Sequence, residues 1–276
     1  MPQRIWRDWR YFLLALAILL AVGLGQLAPA GAELGRVFLQ GPVEAYQLTQ
    51  LSSADEVALA QAIDTQLKQD GLVPYTSDPT ALAYVAEIGQ RLVAACGECA
   101  SRPYTFQVVE DEGVNAFATM GGFVYVQTGL LKAASTEAEL AFVLAHEISH
   151  IVGRHGVHQL WQELTAQSLN QGGLTNRRVL VTASIQLRLL SRSLLDEYDA
   201  DERGFSYLRE AGYAPSGAIA ILRKMADAAG SAAGTGNLDS LLQSRTARLE
   251  ALLAAVEADA GAGLDPQIYR TRLGEL

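Results

Sequence analysis

Cysteine and histidine are scarce in this 276-residue sequence, which has two Cys and four His, and no histidine follows residue 158. Two cysteines cannot staple a small disulfide scaffold, so the fold must rest on a buried core. A hydrophobic content of 50% in a chain of this length supplies one. An excess of basic charge is also lacking: 21 Lys and Arg face 30 Asp and Glu, a net of -9, which argues against a polyanion partner such as nucleic acid. No segment repeats itself along the chain, which excludes a solenoid or propeller. The apolar stretch Tyr11 to Gly25 holds about 15 residues, short of the roughly 20 that a spanning helix needs.

That stretch has a recognisable setting. Arg4, Arg7 and Arg10 precede it and Ala28-Pro29-Ala30 comes after it, the layout of a secretory signal peptide over residues 1–30. Cleavage after Ala30 or Ala32 is one outcome, and retention as an N-terminal anchor through residues 11–27 is the other. Both export the folded part to the periplasm or another extracytoplasmic space. Residues 1–30 hold three of the 21 basic and one of the 30 acidic side chains, so residues 31–276 carry 18 and 29, a net of -11. In such a compartment Cys96-Gly97-Glu98-Cys99 can close a small loop. A thioredoxin-like role would need a strand followed by a helix, whereas this pair follows a helical pattern.

Residues 31–53 carry Gly and Pro without a clear period and read as a linker or N-terminal arm. Ser53 and Glu56 then predict a capping box, and Val57, Leu59, Ala60, Ile63 and Leu67 recur at helical spacing, so a helix is expected over 54–69. Asp78-Pro79 opens a second helix carrying Leu82, Val85, Ile88 and Leu92. The period then changes to two around Tyr104, Phe106 and Val108, and again in Phe123 to Gln127 after Gly121-Gly122, which predicts two strands of a small sheet. Thr136 and Glu139 predict the cap of a helix running through residue 152 or beyond, and helical patterns return over 177–211, 216–229 and 238–258. The fold class is α+β and mainly helical, with the domain over 54–229 and a helical extension over 230–276 packed on it.

His146-Glu147-Ile148-Ser149-His150 is an HExxH segment on one of these helices. Positions i and i+4 share a face about 6 Å apart, so two imidazoles can grip one zinc ion, while Glu147 projects round the helix to serve as general base toward water. Leu140, Phe142, Val143, Leu144, Ile148 and Ile151 bury this turn, and buried histidines need partners. A catalytic zinc keeps three protein ligands and one open position. A third histidine in the metzincin register would fall at Gly156, one residue beyond His155. His155 and His158 read as core or surface histidines continuing the helix. The third ligand should therefore be a carboxylate or a cysteine; the CxxC lies upstream on a different helix, so a downstream Glu is favoured, and Asp196 to Glu202 offers several carboxylates. Glu197 and Asp201 stand one turn apart on the side where Ala200, Gly204 and Phe205 point inward, so that one can bind metal while the other orients a histidine.

Three motifs in order, Asn115-Ala116-Phe117-Ala118-Thr119 with Gly121-Gly122, the HExxH helix, and ExDAD over 197–201, resemble metallopeptidase family 48. This family includes HtpX-like and CAAX prenyl protease-like enzymes, and the exported BepA-like subgroup is closest in layout. The resemblance covers residues 54–225 and implies a zincin-like (gluzincin) domain with a small sheet beside the active-site helix. It implies His146, His150 and Glu197 as ligands of one Zn2+, Glu147 as catalytic base and Asp201 as the acid behind a ligand. It also implies a substrate peptide adding as a strand beside the cleft, with Phe123 to Gln127 as the expected edge and Asn115, Gly121, Gly122, Phe123, Val124 and Tyr125 as substrate contacts. The family's frequent His-Pro element is lacking, and Ser244-Arg245-Thr246-Ala247-Arg248 occupies that neighbourhood. The expected function is zinc-dependent cleavage of polypeptide substrates, misfolded cell-envelope proteins among them, with membrane-surface association and self-association left open. The rival readings are an envelope chaperone or adaptor with a structural zinc, and a thiol redox protein using Cys96 and Cys99.

Overall fold

The computed structural model describes residues 51–75, 78–160, 193–230 and 236–274. The expected leader or anchor, the arm over 31–50 and the helical pattern over 177–192 lie outside the described residues.

Helix α1, Ser53–Gln69, is capped one residue earlier than the pattern suggests. Ser52 accepts from the Asp55 amide, and Asp55 in turn accepts from the Ser52 amide. Glu56 is thereby released from capping. It is buried, and its two carboxylate oxygens take Arg102 at 2.9 Å and Arg154 at 2.7 Å. Helix α2, Pro79–Ala95, starts as expected, with Asp78 accepting from the Thr80 amide at 2.8 Å and proline in the first turn. Past its end, Cys96 and Cys99 are joined by a disulfide, both buried.

The sheet has three strands rather than two: β1 Thr105–Val109, β2 Ala116–Thr119 and β3 Phe123–Gln127. β3 lies in the centre, parallel to β1 and antiparallel to β2. The turn from β2 into β3 runs through Gly121 and Gly122 at φ +78° and +101°, a region that favours glycine. A Cβ on Gly122 would stand 1.9 Å from the Pro103 carbonyl oxygen, and one on Gly121 would stand 2.5 Å from that of Glu56. These glycines serve close backbone packing.

After a short helix α3, Thr128–Ala133, comes α4, Glu137–Val152, in which every residue from Ala138 to Ile151 is buried. A helix buried on all sides belongs in the middle of a core. Around it pack α2, the sheet, α5 (Leu194–Glu210) and α6 (Ser216–Gly230). Thr136 caps α4 by accepting from the Glu139 amide, but the Glu139 carboxylate turns to the Ser135 amide and Lys224, so the predicted box is half closed. Helices α7, Gly236–Leu253, and α8, Pro266–Leu273, complete the chain, α7 against α5 and α6 and α8 against α2. Their residues belong to the same compact unit as those of 51–159. No helix among the described residues is long and apolar enough to cross a membrane.

Candidate active site

The HExxH turn lies deep in α4. His146, Glu147 and His150 are buried, and the Nε2 atoms of the two imidazoles face each other at 3.0 Å. Across from them α5 presents Glu197, buried as well, whose Oε2 is 3.5 Å from His146 Nε2 and whose Oε1 is 3.4 Å from His150 Nε2. Donors around one tetrahedral metal at about 2.0 to 2.1 Å stand about 3.3 to 3.4 Å apart, so this set fits a single ion. Glu147 also brings a carboxylate oxygen within 4.8 Å of both ring nitrogens. The two carboxylates differ in position: Glu147 lies on the same helix as the two histidines, one residue round from His146, whereas the two oxygens of Glu197 meet the two rings from α5.

Each helix is placed by its own chemistry. Ser193 caps α5 by accepting from the Asp196 amide at 3.1 Å, which starts the helix so that Glu197, Asp201 and Gly204 fall on one face. Gly204 brings that face against the α4 backbone: a Cβ there would lie 3.0 Å from His146 N and 3.1 Å from His146 Cα. Asp201 has Oδ1 2.9 Å from His146 Nδ1. A carboxylate there is placed to hold the proton on Nδ1 when Nε2 is engaged by a metal.

Two residues left outside the expected site belong to its surroundings. Arg245 reaches in from α7, buried, donating through Nε and Nη2 to both oxygens of Asp201 at 2.8 and 2.7 Å; its Nη1 is 2.9 Å from Glu197 Oε2. His155 is the other, and the expectation that it continues the active helix is corrected. Helix α4 ends at Val152, Arg154 adopts φ +55°, and the chain doubles back so that His155 Nδ1 sits 2.7 Å from His150 Nδ1.

Electrostatics tie the cluster together. Burial and the Arg245 charge push the His146 imidazole down, but its hydrogen bonds with Asp201 and Glu197 outweigh them and lift it to about 9. Burial would raise the Glu197 carboxyl, yet hydrogen bonds from both histidines and the charges of His146 and Arg245 hold it far below the ordinary carboxylate range. Asp201 is lowered in the same way, chiefly by Arg245 once burial is overcome.

A cleft of about 230 Å³ opens over the cluster, with Asn115 to Met120 along one wall and Leu222, Met225 and Arg245 on others. The expected substrate edge is corrected here. Phe123, Val124 and Tyr125 are in the central strand, flanked by β1 and β2, and Val124 and Tyr125 are fully buried. Together with Gly121 and Gly122 they form the support of the wall, while β2 forms its surface. Asn115 does line the cleft, with its side-chain oxygen accepting from the Ala116 amide at 2.9 Å.

Comparison with known proteins bears on the family. The family model described as peptidase family M48 matches residues 79–256. The beta-barrel assembly-enhancing protease of Escherichia coli K12 is 27% identical over 230 residues, covering 78% of this chain and 46% of the relative. Its Yersinia pestis counterpart is 31% identical over 191 residues, 64% of this chain and 39% of the relative. The mitochondrial metalloendopeptidase OMA1 of Arabidopsis thaliana is 36% identical over 132 residues, 46% and 27% respectively. The chain thus spans less than half the length of each of these three relatives.

Proposed function

The chain belongs to peptidase family M48, and from that premise we propose that it is an endopeptidase using one zinc ion held by His146, His150 and Glu197. The mainly helical fold with its small sheet is the zincin-like arrangement of that family, and metal-dependent proteolysis comes with membership. The observation that carries the finer reading is the buried pair of Nε2 atoms at 3.0 Å, met by both oxygens of Glu197.

When bound, zinc polarises the scissile carbonyl and lowers the pKa of water. Glu147, on the same helix and facing the cleft, takes the proton of the attacking water and hands it to the leaving amine. Asp201 keeps His146 in the ligating tautomer, and Arg245 holds Asp201 in place. The wall from Asn115 to Met120 receives the peptide. Substrates are polypeptides of the cell envelope, misfolded ones included. The N-terminal layout of residues 1–30, the Cys96–Cys99 disulfide and the names of the bacterial relatives support an exported location.

The test is direct. Purified chain is assayed for zinc content and for casein cleavage with and without a chelator. Cleavage that disappears with the chelator and returns with zinc is expected. Metal-loaded protein that prevents aggregation of an unfolded client but leaves every chain uncut would replace this reading with a chaperone holding a structural zinc.

A further inference from the structure

His146 and His150 are treated unequally by the fold. The first meets a carboxylate directly through Nδ1. The second meets another imidazole, His155, at 2.7 Å between the two Nδ1 atoms, and both rings are buried. We propose that His155 is a positioning residue for the metal ligand His150, the middle of a relay that runs from Asp199 through His155 to His150. This inference rests on the reading that His150 binds metal.

The proton positions follow from what each atom faces. His150 Nε2 points at His146 Nε2 and Glu197 Oε1, so ligation there requires the His150 proton on Nδ1. That Nδ1–H then donates to His155 Nδ1, which must be the acceptor. His155 in consequence carries its own proton on Nε2, which lies 3.2 Å from Asp199 Oδ2, while Asp196 at 3.9 Å is beyond hydrogen-bond length. Asp199 is itself held: Arg203 Nε donates to it at 2.8 Å, and Arg203 Nη1 donates at 2.8 Å to Glu98, which sits in the loop closed by the Cys96–Cys99 disulfide. Tyr207 donates to the same Glu98 carboxylate at 2.9 Å. The relay therefore ends on a partly exposed carboxylate that Arg203 holds in place.

The turn that delivers His155 is arranged for this contact. Arg154 is the sole non-glycine residue with positive φ among the described residues, a left-handed conformation that L side chains rarely adopt and that needs support. Support comes from Arg154 pairing with buried Glu56 at 2.7 Å and donating to the Leu51 carbonyl at 3.1 Å. Gly153 leaves room for the ring, since a Cβ there would fall 2.5 Å from His155 Nε2.

The experiment measures Zn2+ affinity of the full chain by competition with a chelator, together with the absorption spectrum of the Co2+-loaded protein. His155→Leu should weaken Zn2+ binding about 10- to 100-fold and alter the Co2+ bands, in line with loss of an outer partner of a ligand histidine. His155→Asn places its side-chain oxygen near the former Nδ1 and should restore most of that loss. His155→Gln places its oxygen near the former Nε2 and should not. Asp199→Ala should weaken binding by a smaller factor. A parent that binds one zinc while His155→Leu binds equally well, with unchanged Co2+ bands, overturns the relay alone. A parent that binds no metal overturns the metal reading and the relay with it. Should the Leu variant fail to fold, the Asn and Gln variants decide, and equal affinities for these two would refute the proposal.

Discussion

Gly204→Ala tests whether the approach of two helices sets the metal site. The added Cβ would stand 3.0 Å from His146 N, 3.1 Å from His146 Cα and 3.3 Å from Ala145 C, all backbone atoms that cannot turn aside. Ordinary contact needs about 3.5 to 4.0 Å, so α5 must retreat by roughly 0.5 Å. Glu197 rides on the same face of α5, two turns away, and a retreat of that size exceeds the roughly 0.2 Å tolerance of metal–ligand distances. Overpacking of this kind costs about 1 to 3 kcal/mol, which for a domain of this size is a fall in melting temperature of roughly 2 to 12 °C. We therefore expect weaker Zn2+ binding and a lower Tm in the metal-free protein, read by chelator competition and calorimetry. Gly97→Ala is the control, because a Cβ there meets nothing within 4 Å and should leave both readings unchanged. A Gly204→Ala protein that melts and binds zinc like its parent would refute the reasoning.

Four further outcomes are expected. Glu147→Gln should keep zinc and lose casein cleavage; undiminished cleavage would remove Glu147 as the base. Arg245→Met leaves the buried Asp201 and Glu197 carboxylates without their guanidinium, at a cost of about 3 to 5 kcal/mol in metal-free protein. The loss should shrink once zinc engages Glu197, and equal Tm losses with and without zinc would contradict this. At a free zinc concentration about a thousandfold above Kd the ion stabilises the fold by about 4 kcal/mol, so a chelator should lower Tm measurably, and an unchanged melt would count against a bound metal. Asp64 accepts from Lys68, Gln107 and Tyr125, and these bonds outweigh burial to hold its carboxyl below the ordinary value of 3.8. A lowered carboxylate stabilises the fold fully above the unfolded-state value and loses that contribution as pH falls from there through the lower folded-state one. Asp64→Asn should therefore flatten the loss of stability on acidification below about pH 4, and an unchanged slope would show the bonds to be idle.

Sequence periodicity and spacing were enough for much of the helical framework and for the histidine and carboxylate pairs that the structure brings together, for a definite reason. His146 and His150, like Glu197 and Asp201, are pairs on one helix face, and a spacing of four is a local property that any helix converts into adjacency. What escaped depended on partners far along the chain. β2 is four residues, Ala116–Thr119, too short and too mixed to show a period of two, and nothing local in Phe123 to Gln127 tells a central strand from an edge. The first cap slipped by one residue because Ser52 and Ser53 are chemically equivalent there, and the structure chose the one that leaves Glu56 to Arg102 and Arg154. Arg245 lies 99 residues beyond His146 on a helix whose sequence looks like an ordinary charged surface, so only the packing of α7 reveals it. His155 could have been suspected from Gly153, a residue that commonly ends helices, but the left-handed turn at Arg154 has no reliable sequence mark.

The intrusion of Arg245 bears on the charge that the buried cluster leaves unbalanced. Glu147, Glu197 and Asp201 bring three formal negative charges into a region shielded from solvent, and the guanidinium cancels one of them. Two remain, the complement of a divalent cation: a monovalent ion would leave the buried assembly anionic and a trivalent one would leave it cationic, and either imbalance is expensive away from water. For a divalent ion in the site proposed above, the charge match is thus set by a side chain that need never touch the ion.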